Sequence, residues 1–233
     1  MRPYARQSGA PATRAITRAR LTATLLGLGL LALTRTSWGA VLTVTVLLPD
    51  GHPLGGVIVT ARPSAGPMHS AAPVAAAMDQ VNRAFAPDLL VIPVGSSVAF
   101  PNSDSVSHQI YSFSPAKRFQ LPLYRGKPYP PVVFDQPGLV TLGCNIHDEM
   151  LAYVVVTDAP FFGPTNKTGT WSADVPGGSY RISIWHPRLR DDAKYLEGEV
   201  TASEAAGGTL TFHLTKLLKP APLEGRPHSW DSY

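Results

Sequence analysis

The stretch "GLVTLGCNIHDEMLAYVVVTD", residues 138–158, sets two aliphatic, β-branched runs on either side of a short polar loop. Runs of this kind bounded by Gly, Asn and Asp read as strands, so Cys144 closes one strand and Met150 opens onto the next. His147 lies three residues after the cysteine and three before the methionine. A loop this short can turn all three side chains toward one point. Working outward, "LLVIPVGSSVAFPN" (89–102), "SHQIYSFS" (107–114) and "PVVFD" (131–135) repeat the pattern and predict a small sandwich or barrel of short strands. Composition agrees. Charged residues make up 15% of the chain against 20 Gly and 23 Pro, which favours short strands and turns over amphipathic helices, and 44% hydrophobic content is enough for a packed core.

At the other end, Arg14, Arg18 and Arg20 precede the uncharged run "LTATLLGLGLLAL" (21–33), and small residues follow at Ser37, Gly39 and Ala40. Residues 1–39 therefore read as a secretory signal peptide cut after Gly39 or Ala40. An uncleaved anchor is the alternative, because Arg35 stands in the cleavage region, although the run is shorter than the roughly 18 apolar residues of a membrane span. The leader carries six arginines and no acid, so its removal takes the formal net charge from +4 to −2. The basic balance belongs to the leader, and the mature chain has no Lys/Arg cluster interleaved with aromatics to suggest nucleic-acid binding. A secreted setting permits disulfides, but Cys144 is the only cysteine and has no internal partner.

Residues 40–63 alternate apolar residues with turn signals at Asp50-Gly51 and Gly55-Gly56, the pattern of a β-hairpin. Residues 64–78, rich in Ala, Pro and Ser, read as a linker in which Met68 and His69 are exposed. Residues 163–215 hold three more strands, and 216–233 has the character of a flexible tail. A lone hairpin is marginal in water. The hairpin and the late strands are therefore expected to form one small sandwich, with residues 79–160 inserted as a second domain. Trp171, Tyr180 and Trp185 in the late strands allow a sugar-stacking face, although alternate-position aromatics are more often core or cross-strand pairs.

A copper ion that shuttles between Cu(I) and Cu(II) needs ligands acceptable to both, and two imidazoles, one thiolate and a weak axial thioether form the blue-copper set. The loop supplies Cys144, His147 and Met150. The second imidazole is expected from His108, at the start of a strand after a turn-rich loop in the same block. His52 falls in a turn, His69 in the linker, His186 and His213 in the flanking strands and His228 in the tail.

With "IPVGSSVAFPNSDSVSHQI" upstream and "CNIHDEM" as the ligand loop, residues 79–157 resemble the cupredoxins. The C-x-x-H-x-x-M spacing is that of amicyanin-like members; plastocyanin-like members have a longer His-to-Met gap. More closely, "YSFSPAKRFQLPLY", "VVFDQPGLVTLGCNIHDEM" and "WHPRL" resemble cupredoxin-like methylamine-utilisation proteins through most of the mature chain. The resemblance implies an all-β Greek-key sandwich and one type 1 copper in the periplasm, with His108, Cys144, His147 and Met150 at the ligand positions. Many cupredoxins carry Asn immediately after the upstream histidine to brace the ligand loop; here the residue is Gln109. The flanks, "VTVLLPDGHPLGGVIVTARP" and "NKTGTWSADVPGGSYRISIWHP", resemble a transthyretin-like, carboxypeptidase-regulatory-type sandwich, beside or around which the cupredoxin sandwich would pack.

The function expected from this reading is one-electron transfer, exchanging with a c-type cytochrome or an amine dehydrogenase and taking no part in catalysis itself. There is no second His-rich cluster to form another metal centre, and no "GxSxG" nucleophile elbow. Two alternatives share the same ligands: an assembly factor that delivers copper to a redox enzyme, and a binding module, with carbohydrate as its ligand, in which the copper is structural. After leader cleavage no membrane association is expected.

Overall fold

The computed structural model describes residues 39–126, 128–189, 196–216 and 218–219. The expected leader (1–39) and tail (216–233) lie outside these residues except at their inner margins. Among the described residues every regular element is a strand, and none is a helix long and apolar enough to cross a membrane. The strands are β1 (Ala40–Leu47), β2 (Ile58–Pro63), β3 (Ala75–Ala77), β4 (Asp79–Val81), β5 (Ala84–Ala86), β6 (Leu89–Pro93), β7 (Ser96–Ala99), β8 (His108–Ser114) and β9 (Lys117–Tyr124). They continue as β10 (Val132–Phe134), β11 (Gly138–Gly143), β12 (Leu151–Thr157), β13 (Phe161–Pro164), β14 (Thr170–Val175), β15 (Gly178–Trp185), β16 (Leu196–Ala202) and β17 (Gly208–His213).

β1 and β2 were expected to pair as a hairpin, and they do not. β1 lies between β14, antiparallel, and β17, parallel, whereas β2 lies between β13 and β15 in another sheet that β16 completes. Tight hairpins use loops of about two to five residues. The connection over 48–57 is longer, and it carries the chain from one sheet to the other. Both strands still serve one core. Leu42, Val44 and Val46 on the inner face of β1 meet Val59 and Ala61 of β2 and Tyr180, Ile182 and Ile184 of β15.

The central block builds its own core between the sheet β10-β7-β3 and the sheet β6-β12-β11-β8-β9. Val98, Phe100, Ile110, Phe134, Val140, Leu142 and Val154 fill it, none more than 2% exposed. The parallel pairs β3–β7 and β6–β12 require crossovers between layers, because parallel neighbours cannot be joined by a tight turn. Ala75–Ala77, in the stretch read as linker, form β3 against β7, and Met78 is fully buried behind it. An alanine run has no alternation of apolar and polar residues to advertise a strand.

β12 shows how the two layered bodies meet. Ala152, Val154 and Val156 face the core of the central block, while Val155 and Tyr153 face outward onto Ile58 of β2 and Trp185 of β15. This is why β2 and β12 are buried on both faces. The Tyr153 and Trp185 rings meet edge to face, their centroids 5.3 Å apart. Arg62 pairs with Asp158 across the same junction. Trp171, Tyr180 and Trp185 are all buried, so these rings are core and provide no sugar-stacking face.

The turn before β14 depends on one glycine. Gly169 has φ +69°, and a Cβ there would lie 2.7 Å from the Val46 carbonyl oxygen; its own carbonyl accepts the Val46 N–H at 2.9 Å. Gly169→Ala is expected to lower unfolding stability by about 1–3 kcal/mol for the left-handed backbone alone, with the clash added. Gly51, at φ +84° with nothing nearby, should cost less when changed to Ala. Urea midpoints of the two variants check the order.

Candidate metal centre

The strand register assembles the site. Gly143 of β11 pairs with Leu151 of β12 on one side and with Tyr111 of β8 on the other. Cys144 and Met150 therefore flank the last rung of one hairpin, and His108 opens β8 three residues before Tyr111, the rung's third member. Tyr111 packs closely on Gly143; a Cβ there would sit 2.8 Å from the tyrosine Cζ. The loop is closed by the Met150 N–H, which donates to the His147 carbonyl at 3.0 Å.

Three donor atoms converge. His108 Nδ1 is 3.2 Å from His147 Nδ1 and 3.8 Å from Cys144 Sγ, and ligand atoms of the three residues all lie within 4.8 Å of one another. His108 is fully buried and Cys144 and Met150 nearly so, while His147 is half-buried. Met150 shares the core cluster of Cys144. Of the four predicted residues, His147 alone reaches toward solvent, next to the exposed Ile146, Asp148 and Glu149.

Two ring nitrogens 3.2 Å apart are held either by a shared proton or by a cation that both bind. The Cys144 sulfur, 3.8 Å from His108 Nδ1, adds a third donor atom. An ion about 2.0–2.3 Å from each donor spans nitrogens up to about 4 Å apart, so the separations around His108 fit a single ion. The soft thiolate with two imidazoles suits copper.

The loop before His108 holds its ring from behind. Asp104 Oδ2 accepts from His108 Nε2 at 3.0 Å, which places the ring proton on Nε2 and leaves Nδ1 as a donor. The same oxygen accepts the Arg83 N–H at 2.7 Å, and Oδ1 accepts the Ser105 N–H at 2.7 Å. These bonds hold the Asp104 carboxyl down at about 2, the Arg83 amide most strongly, against the opposing effect of burial. Asn102 fixes the loop by donating to the Val106 and Tyr124 carbonyls and accepting the Asp104 N–H. Tyr124 pairs with His108 across β8 and β9; its hydroxyl donates to the Phe100 carbonyl and accepts from the fully buried Gln80. Burial pushes the Tyr124 phenol up to about 12. Among the described residues no hydrogen bond runs from Gln109 to the ligand loop, and Asn102 and Asp104 anchor the loop before His108.

Asp104, Asn102 and Arg83 were not singled out in the sequence. The one available signal was the aspartate four residues before His108 in "SDSVSH". The other histidines stay apart from the site. His52 and His69 are exposed, His213 lies on the exposed face of β17, and His186, half-buried beyond β15, is lowered to about 4 chiefly by burial and then by Arg188. His228 lies outside the described residues.

No protein-family model matches the chain, and no curated protein matches it in sequence. Among solved structures, the chain is similar to a purple cupredoxin from Nitrosopumilus maritimus at 27% identity, over 35% of this chain and 99% of that one, with a TM-score of 0.32. It is similar to a copper-containing nitrite reductase from Thermus scotoductus at 26% identity, over 41% of this chain, with a TM-score of 0.34. This chain spans only 25% of that enzyme's length. A reduced amicyanin variant matches at 19% identity, over 42% of this chain and 99% of its own, with a TM-score of 0.33.

Proposed function

We propose that this protein is a periplasmic carrier of single electrons, holding one type 1 copper through His108, Cys144, His147 and Met150. The observation that supports the reading is the convergence of two imidazole Nδ1 atoms and one thiol sulfur at a buried point on the end of a β-sandwich. Copper, when bound, supplies a Cu(II)/Cu(I) couple that accepts one electron from a donor and returns it to an acceptor. The chain's residues do the rest. His108 and Cys144 sit in rigid strand ends with little room to rearrange, and the surrounding core excludes water. His147 gives the site its exposed edge, where a partner can come close.

By the resemblance of the stretches quoted above, we place the protein beside the cupredoxin-like methylamine-utilisation proteins, with a c-type cytochrome or an amine dehydrogenase as partner. The same kind of resemblance makes the flanking sandwich transthyretin-like. In this reading the chain transfers electrons and catalyses no reaction of its own, and its leader directs it to the periplasm. Voltammetry of the copper-loaded protein tests it: a reversible one-electron wave with the metal retained is expected of a carrier. Ready loss of copper to a chelator without unfolding would instead indicate a metal-delivery factor.

Asp148 and Glu149 follow His147 directly and are exposed. If they help a basic partner to dock, the bimolecular electron-transfer rate falls as ionic strength rises from about 0.01 to 0.15 M, where the screening length drops from about 30 to 8 Å. Stopped-flow measurement with a basic cytochrome is expected to show that fall. A rate independent of salt would remove the two acids from the docking surface.

A further inference from the structure

We propose that Asp104 is a positioning residue for the metal centre: its carboxylate fixes His108 in the Nδ1-donor tautomer and, by strengthening that imidazole as a donor, holds the reduction potential down. The inference rests on the copper reading above and concerns how the chain tunes that same site.

The observations are geometric. Asp104 Oδ2 meets Nε2 of a fully buried imidazole at 3.0 Å, so the ring's second nitrogen faces a negative charge, whereas water or a neutral carbonyl is the alternative partner. The carboxylate is itself held in place. The hairpin of β4 and β5 turns through Asn82 and Arg83, both with positive φ (53° and 59°). That is the two-residue turn whose left-handed residues match strand twist, although Asn-Gly is its usual sequence. The turn presents the Arg83 N–H to the Asp104 oxygen that faces His108. A non-glycine residue held left-handed is uncommon, and here its amide secures the acceptor of a candidate ligand's proton. Partners of this kind on a ligating histidine set its orientation and basicity, and their loss typically costs 10–100-fold in metal affinity or activity. An imidazole made more electron-donating favours Cu(II) over Cu(I), so the charge lowers the potential.

Asp79 provides a control. It accepts the Ser103 N–H and hydroxyl in the neighbouring part of the same loop and touches no candidate ligand. The experiment is redox titration of the copper-loaded full chain, followed through its visible thiolate band, for the wild type, Asp104→Asn, Asp104→Ala and Asp79→Asn. Asp104→Asn keeps an acceptor oxygen and drops the charge. It is expected to retain the band while losing about tenfold in preference for Cu(II) over Cu(I), equivalent to an upward shift of about 59 mV for a one-electron couple. Asp104→Ala should move the potential at least as far, and Asp79→Asn much less. An unmoved potential in Asp104→Asn, even with a lower melting temperature, overturns the proposal by reducing Asp104 to a loop cap. An equal shift in Asp79→Asn overturns it by reducing the effect to net charge. A wild type with no thiolate band overturns the copper reading and the proposal together, whereas a band with an unmoved potential overturns Asp104's role alone.

Discussion

Cys144→Ser is expected to abolish the intense thiolate-to-copper absorption of the Cu(II)-loaded protein completely. The chain has no other cysteine, so no second thiolate can take its place. Serine is nearly the same size and Cys144 is buried at a strand end, so the sandwich is expected to survive. Putting a hydroxyl in the core cluster that Cys144 shares with Met150 and Ile110 costs about 1–3 kcal/mol if it finds no hydrogen-bond partner, and the far-ultraviolet circular dichroism should stay that of a β protein. The loss is therefore specific to the metal. Serine Oγ is a hard donor that stays protonated at neutral pH, and two imidazoles alone do not provide the soft ligand that lets one site accept both oxidation states of copper. The measurement is a copper titration by visible absorption, wild type beside variant, with circular dichroism as the check on folding. A band of equal intensity in the variant would remove Cys144 from the site.

Trp185→Ala is expected to lower unfolding stability by about 3–5 kcal/mol, the usual cost of emptying a buried tryptophan's space. Trp185 is 7% exposed and packs on Ile58, Val155 and Tyr153, which belong to both layered bodies. The residue contributes to the junction as well as to its own sheet. Urea unfolding followed by circular dichroism should show a lower midpoint, and the copper band should be lost over the same denaturant range as the secondary structure. If the band outlasts most of the secondary structure, the two sandwiches unfold independently and the junction contributes little to the central one.

How much of this could be read in the chain depends on how local each feature is. The convergence of Cys144 and His147 was legible because one loop carries them and its two strands announce themselves by β-branched runs. His108 was reachable because only one histidine outside the loop shares that block. Asp104 was hidden, since its role depends on a loop folding back to place a carboxylate behind the ring, and an Asp in a turn-rich stretch ordinarily signals only a turn. The Arg83 amide was further out of reach, because a backbone group has no sequence signature beyond the turn that aims it. In the fold, turn residues marked where β1 and β2 end but not which sheet each joins. The partners of β1 come from 170–175 and 208–213, far along the chain, and pairing at that range is decided by the shared core of Leu42, Val44, Val59 and Ile182. Trp171, Tyr180 and Trp185 show the same limit: alternation could not tell a buried face from an exposed one until the second sheet was in place.

The central claim is that one ion is held by two imidazoles and the Cys144 thiolate. Copper-edge X-ray absorption of the full chain loaded with one equivalent of Cu(II) tests it most directly. Two nitrogen scatterers and one short sulfur scatterer are expected, with the sulfur lost in Cys144→Ser. A shell of nitrogen and oxygen alone, in protein whose circular dichroism shows the β fold intact, would contradict it.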